Sequence, residues 1–205
     1  VSVTAGHAVT ATATDPSGNT SEFSVTVSAT TGIFISGTVY SDEGTTALGN
    51  QTVRIAVNGV DFGTTAESNG TTGAYVVSGL TLSNGDVITA YLEDETADAV
   101  AVTVYDGTAL SLDLYQDYLI ARKEDGTALS TTNLNTAEVA GENDISNLFD
   151  VSGSTLTVQN GKELLIPVGH RLDAGGQTIV HDLNIDGIFN AGAQDVNISG
   201  SLDND

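Results

Sequence analysis

Short apolar runs separated by turn sequences fill residues 35–92 and constrain the fold more than any other feature of the chain. The runs are rich in Val, Ile and Tyr, and they read ISGTVY, QTVRIAVNGV, GAYVVSGL and VITAYL. Gly, Asn and Asp occupy the intervals, and a Gly/Thr/Asn-rich loop is expected at 61–72. β-branched and aromatic residues favour a pleated sheet, whereas Gly, Asn and Asp adopt the backbone of tight turns. This rhythm predicts a small β-sandwich.

The pattern divides the chain into four predicted segments. We expect an N-terminal β-hairpin or linking segment at 1–32, a β-sandwich at 33–114 and a second β-module at 152–205. Residues 115–151 are predicted to form a connector with room for a short helix. The predicted fold class is all-β: an immunoglobulin/prealbumin-like sandwich flanked by an N-terminal hairpin and a C-terminal second β-module that is solenoid-like or a sandwich.

Two local signals occur in the connector. The run Tyr118-Leu119-Ile120-Ala121 predicts a strand. Asp144 is expected to cap a short helix that continues through Leu148, because an aspartate side chain can accept a hydrogen bond from a free amide of the first helical turn.

Apolar and threonine residues alternate on both sides of the turn sequence Asp15-Pro16-Ser17-Gly18-Asn19, which predicts the N-terminal hairpin. The string VTATATDPSGNTSEFSVTV resembles the closing hairpin of bacterial immunoglobulin-like repeats in large surface proteins. An isolated hairpin is only marginally stable in water. We therefore expect this hairpin to pack against another module or a neighbouring subunit.

The order of motifs in the predicted sandwich resembles that of the prealbumin-like carboxypeptidase regulatory domain and of the B-type repeats of collagen-binding adhesins. The residues that fit are Gly37, Val39, Val53, Ile55, Gly73, Tyr75, Gly79 and Leu80. The resemblance implies a stalk or spacer module of a cell-surface protein.

Short apolar pieces also recur after residue 156, and Gly or Asn separates nearly all of them. The string GQTIVHDLNIDGIFNAGAQDVNISGSLDND resembles β-solenoid passages of secreted bacterial proteins. Solenoid rungs bury their side chains only by stacking on neighbouring rungs. A second sandwich is the alternative for this segment.

The charge balance argues against two classes of partner. The chain has 27 acidic and 5 basic residues and a net charge of −22. Nucleic acids and anionic membrane surfaces both require clustered Lys and Arg, so neither is an expected partner. Membrane insertion is not expected either, because no apolar run approaches the ~20 residues that span a bilayer.

The setting is predicted to be secreted, at the cell surface. Cys and Met are both absent, which suits long exposure to oxygen. The chain starts at Val1 without a signal peptide and within a strand-like pattern. We therefore expect a mature or excised piece of a longer secreted chain.

No pattern predicts catalysis or a bound cofactor. His7, His170 and His181 are far apart and lack the spacing of a zinc site. No serine lies in a G-x-S-x-G motif. Trp is absent and Arg is scarce, so the chain has few of the aromatic and basic side chains that bind sugar beside a pair of catalytic carboxylates. The chain is not expected to be an enzyme.

Calcium is the predicted ligand, because hard cations prefer six to eight oxygen ligands from carboxylates and carbonyls. The main candidates are the crowded acids Glu93, Asp94, Glu95 and Asp98, which would repel one another without a cation. The other oxygen-rich turns are Asp15/Asn19/Glu22, Asp42/Glu43 and Glu142/Asn143/Asp144.

The function predicted from these patterns is that of an extracellular structural protein, either a subunit of a surface filament or a stalk segment of a large adhesin. Its partners would be copies of itself or adjacent modules of the same long chain, joined by β-strand complementation. The predicted joint is Val1–Val3 or His7–Thr14 on an open sheet edge. One alternative is a carbohydrate-binding or carbohydrate-cleaving β-solenoid fragment, and a third is a monomeric spacer without strand exchange.

Overall fold

A computed structural model of the chain describes residues 8–9, 12–20, 27–28 and 32–204. At the N-terminus, β1 (Ala8–Val9) and β2 (Val27–Ser28) pair in antiparallel fashion. In the turn between them, the Asp15 carboxylate accepts hydrogen bonds from the Ser17 and Asn19 amides. The predicted hairpin and its turn are confirmed, whereas Val1–Val3 lies outside the described residues.

The first large module is a sandwich of two sheets. Its strands are β3 (Ile33–Tyr40), β4 (Thr52–Val57), β5 (Val60–Glu67), β6 (Ala74–Leu80), β7 (Val87–Leu92), β8 (Val100–Val104), β9 (Leu110–Ser111) and β10 (Leu114–Tyr115). The smaller sheet has the order β10-β3-β6, with β9 also pairing with β3. Strands β4, β5, β7 and β8 belong to the larger sheet.

Strand β5 lies where a loop was expected at 61–72, so that prediction was wrong for Val60–Glu67. Among the described residues, the strand pairs with β4 alone and forms one edge of the larger sheet. No residue of this strand is fully buried, so it needs few apolar side chains. Its sequence, VDFGTTAE, therefore lacks the Val/Ile-rich character of the central strands.

The second large module is built from short strands in three ladders. Its elements are β11 (Tyr118–Ala121), β12 (Leu129–Ser130), α1 (Thr131–Ala137), α2 (Asn143–Ser146), β13 (Phe149–Ser152), β14 (Thr155–Val158), β15 (Glu163–Ile166), β16 (Arg171–Asp173), β17 (Thr178–Val180), β18 (Asp182–Ile185), β19 (Ile188–Asn190), β20 (Val196–Ile198) and β21 (Leu202–Asp203). The parallel ladders are β11-β15-β18-β21, β12-β16-β19 and β14-β17-β20, and β13 joins the last in antiparallel fashion. This stacking is that of a β-solenoid and not of a second sandwich.

One eight-stranded sheet, in the order β21-β18-β15-β11-β8-β7-β4-β5, runs through both modules. Strand β8 joins them, because it pairs antiparallel with β7 and parallel with β11. Every residue of β7 and β8 is buried. The sheet therefore carries the sandwich core on one face and the solenoid core on the other.

The two cores contain residues from both modules. Ile120 and Leu165, on solenoid strands, lie in the sandwich core. Val87, Tyr91 and Val102, on sandwich strands, lie in the solenoid core. The division of the chain into sandwich, connector and second module stays a prediction, since the eight-stranded sheet crosses both of its boundaries.

The connector forms the first turn of the solenoid. The predicted strand at Tyr118–Ala121 is confirmed as β11. Asp144 is not the cap of α2, because Glu142 precedes the helix and its carboxylate accepts a hydrogen bond from the Asp144 amide. The helix ends at Ser146, before the predicted end at Leu148. Asp144 instead accepts a hydrogen bond from another loop.

Strands make up 46% and helices 6% of the structure, so the predicted all-β fold class is confirmed.

Candidate functional site

The four acids predicted to bind calcium lie in the loop between β7 and β8, and the carboxylates of Glu93, Glu95 and Asp98 bond to other parts of the chain. Glu93 forms an ion pair with Arg54, whose Nε lies 2.5 Å from Glu93 Oε2. Burial raises the pKa of Glu93, and the positive charge of Arg54 offsets this only in part. Glu95 Oε1 accepts a hydrogen bond of 2.7 Å from the Thr52 amide.

The other two acids of this loop contact the solenoid. Asp94 has a left-handed backbone, with φ of 54°, and its amide donates a hydrogen bond of 2.8 Å to Asp144 Oδ2. Asp98 Oδ2 accepts a hydrogen bond of 2.6 Å from Lys162 Nζ, which also bonds to Asp117. The loop therefore fastens the sandwich to the solenoid.

No three His, Asp or Glu side chains among the described residues are grouped so that they could hold a metal ion. In the β7–β8 loop, Glu93 and Asp98 form ion pairs with basic side chains, and Glu95 accepts a hydrogen bond from a backbone amide. Calcium at Glu93, Asp94, Glu95 and Asp98 stays a prediction.

Further contacts between the modules involve residues that sequence analysis did not single out. The Thr89 hydroxyl, on β7, donates a hydrogen bond of 2.8 Å to the carbonyl of Ala137, at the end of α1. Asn184, on β18, donates to Glu43 in the β3–β4 loop at 3.0 Å. The partners in this second contact are 141 residues apart, so no local signal could have identified the pair.

The last rung of the solenoid exposes residues that continue the core. Leu119, Leu164, Leu183 and Leu202 lie in register on successive strands of the eight-stranded sheet. Their exposed fractions are 0%, 0%, 2% and 57%, so the stack is buried until its final member. Phe189 on β19, in register with the buried Leu172, is likewise only partly buried. We call this surface, made by β19, β20 and β21, the terminal rung face.

The backbone of this face is also available for pairing. In the part of the chain that the structure describes, β19, β20 and β21 each pair with one strand only. Such an edge presents a row of free N–H and C=O groups to an incoming strand.

The opposite edge of the eight-stranded sheet is protected. The β4–β5 ladder shifts register between Arg54 and Ala56, and Gly63 on β5 has φ of 76°. The strand also carries the acids Asp61 and Glu67. Irregular backbone and charged side chains are devices that discourage pairing at a sheet edge. The two edges of the sheet therefore differ in their capacity to accept a further strand.

A groove of about 310 Å³ lies between α1, α2 and β13. Among its lining residues are the acids Glu138, Glu142 and Asp150 and the apolar residues Ile145 and Phe149. Burial raises the pKa of Glu138, although its carboxylate accepts a hydrogen bond from the Val151 amide.

No protein-family model matches the chain, and no curated protein or solved structure matches it. The resemblances to surface-protein repeats therefore stay predictions. Among the described residues, no helix combines the length and apolar character needed to cross a membrane.

Proposed function

We propose that this chain is an extracellular structural protein, a filament subunit or stalk segment, whose solenoid is extended by β-strand addition at the terminal rung face. Its role would be structural and not catalytic. Its partner would be another copy of the chain or an adjacent module of one long polypeptide, and neither nucleic acid nor a membrane.

The observation that carries the proposal is the abrupt exposure of the leucine stack at Leu202. A strand placed beside β21 would bury this side chain as Leu183 and Leu164 are buried below it. Burying a leucine side chain contributes about 1.5–3 kcal/mol, and an added strand also satisfies the free backbone groups. The protected β5 edge gives such assembly a single direction, which is the condition for a head-to-tail arrangement.

The strand supplied by the partner is proposed to come from Val1–Val3 or His7–Thr14. The alternating apolar and polar residues of this segment suit a strand with one buried face. Only part of the segment lies within the described residues, so the proposal rests on the receiving face.

Sedimentation velocity over a range of concentrations tests the proposal with the 205-residue chain. We expect concentration-dependent association, and we expect the variant Leu202→Asp to remain monomeric, because a buried charge would oppose pairing. Val168→Asp is the control, since Val168 is 78% exposed but lies in the turn before β16. It should associate like the parent chain.

Two results would count against the proposal. One is a parent chain that stays monomeric at every concentration with the β20 and β21 amides protected from hydrogen exchange. The other is equal association by the parent chain and the Leu202→Asp variant. The intact mass of chains in the native assembly then separates the two versions, because a filament contains many short chains and a stalk contains one long chain.

A further inference from the structure

Two kinds of side-chain contact join successive rungs of the solenoid. One is the leucine stack that ends at Leu202. The other pairs an acid with a hydrogen-bond donor of the next rung. Asp173 Oδ1 accepts a bond of 3.1 Å from Asn190 Nδ2. Asp182 Oδ1 accepts a bond of 2.7 Å from the Ser201 hydroxyl. A strand that follows the last rung should therefore offer both apolar side chains and polar donors.

Charge limits which segment of a second copy can approach the terminal rung face. The exposed acid Asp203 follows Leu202 on β21, and like charges placed directly opposite each other destabilise a strand pair. Residues 1–32 carry only two of the 27 acids, Asp15 and Glu22, and the other 25 lie in residues 33–205. Asp15 belongs to the hairpin turn. The N-terminal hairpin is therefore less acidic than the rest of the chain.

The sequence of the first hairpin strand fits both kinds of rung contact. Residues 8–14 read AVTATAT and include no charged residue. From Val9 onward, apolar residues alternate with threonine, and alternate residues of a strand lie on opposite faces of a sheet. One face of such a strand is apolar and suits the leucine stack. The other offers hydroxyl groups, which can donate a hydrogen bond to a carboxylate.

The hairpin also has a backbone edge for this pairing. Strands β1 and β2 pair with each other, with Val9 and Val27 at matching register positions. In the part of the chain that the structure describes, they form a two-stranded sheet of their own, so each strand has one edge left for a further strand. Strand β1 can therefore pair with another strand without separating from β2.

We propose that the terminal rung face binds the N-terminal hairpin of a second copy of the chain, an inference that rests on the proposed function and specifies its partner. Strand β1 lies parallel to β21, as β11, β15, β18 and β21 lie to one another, with Val9 at the register position beside Leu202. The leucine stack then continues through Val9 and Val27. The threonine face of the hairpin strand meets the carboxylate of Asp203.

Disulfide cross-linking tests this register, because the chain has no cysteine of its own. Val9→Cys and Leu202→Cys are introduced into separate chains and mixed under oxidising conditions, so that a heterodimer always joins two molecules. Residues at matching positions of paired strands lie within the distance that a disulfide spans. We expect this pair to form the heterodimer faster, by about tenfold or more, than either of two control pairs.

The control pairs separate the register from random collision. Ala8→Cys mixed with Leu202→Cys places the cysteine one residue away, on the opposite face of β1. Val168→Cys mixed with Val9→Cys uses a side chain that is 78% exposed and lies outside the terminal rung face.

Two aspartate variants of β2 test the same contact without cysteine. Val27→Asp places a charge at the register position beside Val9 and should weaken association by about tenfold or more in sedimentation velocity. Ser28→Asp adds the same charge one residue further along, on the opposite face of the strand, and should leave association unchanged.

The possible outcomes separate this inference from the proposed function. Equal cross-linking rates for the three cysteine pairs overturn the inference, as does equal association by the two aspartate variants. A parent chain that associates, while Val9→Cys and Leu202→Cys do not cross-link, rejects the hairpin as the partner and leaves the proposed function standing. A parent chain that stays monomeric rejects both.

Discussion

The Nζ atom of Lys162 lies 2.6 Å from Oδ2 of Asp98 and so joins the solenoid to the sandwich. Both side chains are mostly buried, with exposed fractions of 17% and 15%. Burial lowers the pKa of Lys162, but its hydrogen bonds to Asp117 and Asp98 raise the pKa by more. The lysine therefore stays charged within the joint.

Replacing this lysine should destabilise the whole chain. We expect Lys162→Met to lower the free energy of unfolding by about 1–3 kcal/mol, because it leaves the buried Asp98 carboxylate without its partner. Urea unfolding measures the change. Lys123→Met is the matched control, since Lys123 Nζ is 3.6 Å from Asp125 and should contribute less than about 1 kcal/mol. Equal effects of the two variants would contradict a special role for Lys162.

Two buried tyrosines should respond differently to loss of the hydroxyl. Tyr75 donates a buried hydrogen bond of 2.5 Å to the Leu112 carbonyl, whereas the Tyr91 hydroxyl is buried with no partner among the described residues. We expect Tyr75→Phe to cost about 1–3 kcal/mol and Tyr91→Phe to be neutral or stabilising. Thermal unfolding of both variants checks this, and a larger loss for Tyr91→Phe would show that its hydroxyl does have a partner.

Gly37 should tolerate no side chain. A Cβ atom at this position would lie 1.9 Å from the Leu112 carbonyl oxygen. We expect Gly37→Ala to cost more than about 4 kcal/mol or to abolish folding, because a backbone oxygen cannot move without disrupting the sheet. Gly126→Ala is the control, with open space around its Cβ and a φ of 72°, and should cost about 1–2 kcal/mol. Soluble yield and circular dichroism distinguish these outcomes.

Stability should pass through a maximum in mild acid. Burial raises the pKa values of Glu138 and Glu163, so the folded chain binds more protons than the unfolded chain between about pH 4.3 and the raised values. The contribution of these two glutamates to the free energy of unfolding is fully present below this pH window. It is lost as the pH rises through the window. Asp42 and Asp182 behave oppositely, because hydrogen bonds from Thr46 and Ser201 lower their pKa values. Their contribution is lost as the pH falls.

Urea midpoints measured between neutral pH and about pH 3 test this dependence, a range that spans the ordinary carboxyl pKa values. Glu138→Gln mimics the protonated side chain, so its gain in stability over the parent chain should be larger at neutral pH than in mild acid. Glu67→Gln, on the exposed β5 edge, is the charge-matched control. A uniform gain from both variants at all pH values would point to general charge repulsion and not to the buried carboxyl.

Local sequence signals predicted much of the fold. The Val/Ile-rich runs located β3, β4, β6 and β7, because each central strand must bury apolar side chains. The same rule failed at β5, because no residue of that strand is fully buried. Asp144 looked like a helix cap in sequence, but its side chain points to the Asp94 amide of a distant loop.

The joint between the modules could not have been predicted. Lys162 and Asp98 are 64 residues apart, and nothing near either residue marks the other as a partner. The acids at 93–98 were read as a group because they are adjacent in sequence. In the folded chain, the side chains of Glu93, Glu95 and Asp98 bond to three different parts of the molecule. Their adjacency in sequence does not reveal this.

The eight-stranded sheet has a consequence for how such a protein can be inherited and rearranged. Both faces of β7, β8 and β11 are covered by protein. Expressing the sandwich and the solenoid as separate chains would therefore expose apolar side chains on each of them. We therefore expect that neither module folds as an independent unit. A recombination event that preserves the fold would have to transfer the sandwich and the first solenoid turns together.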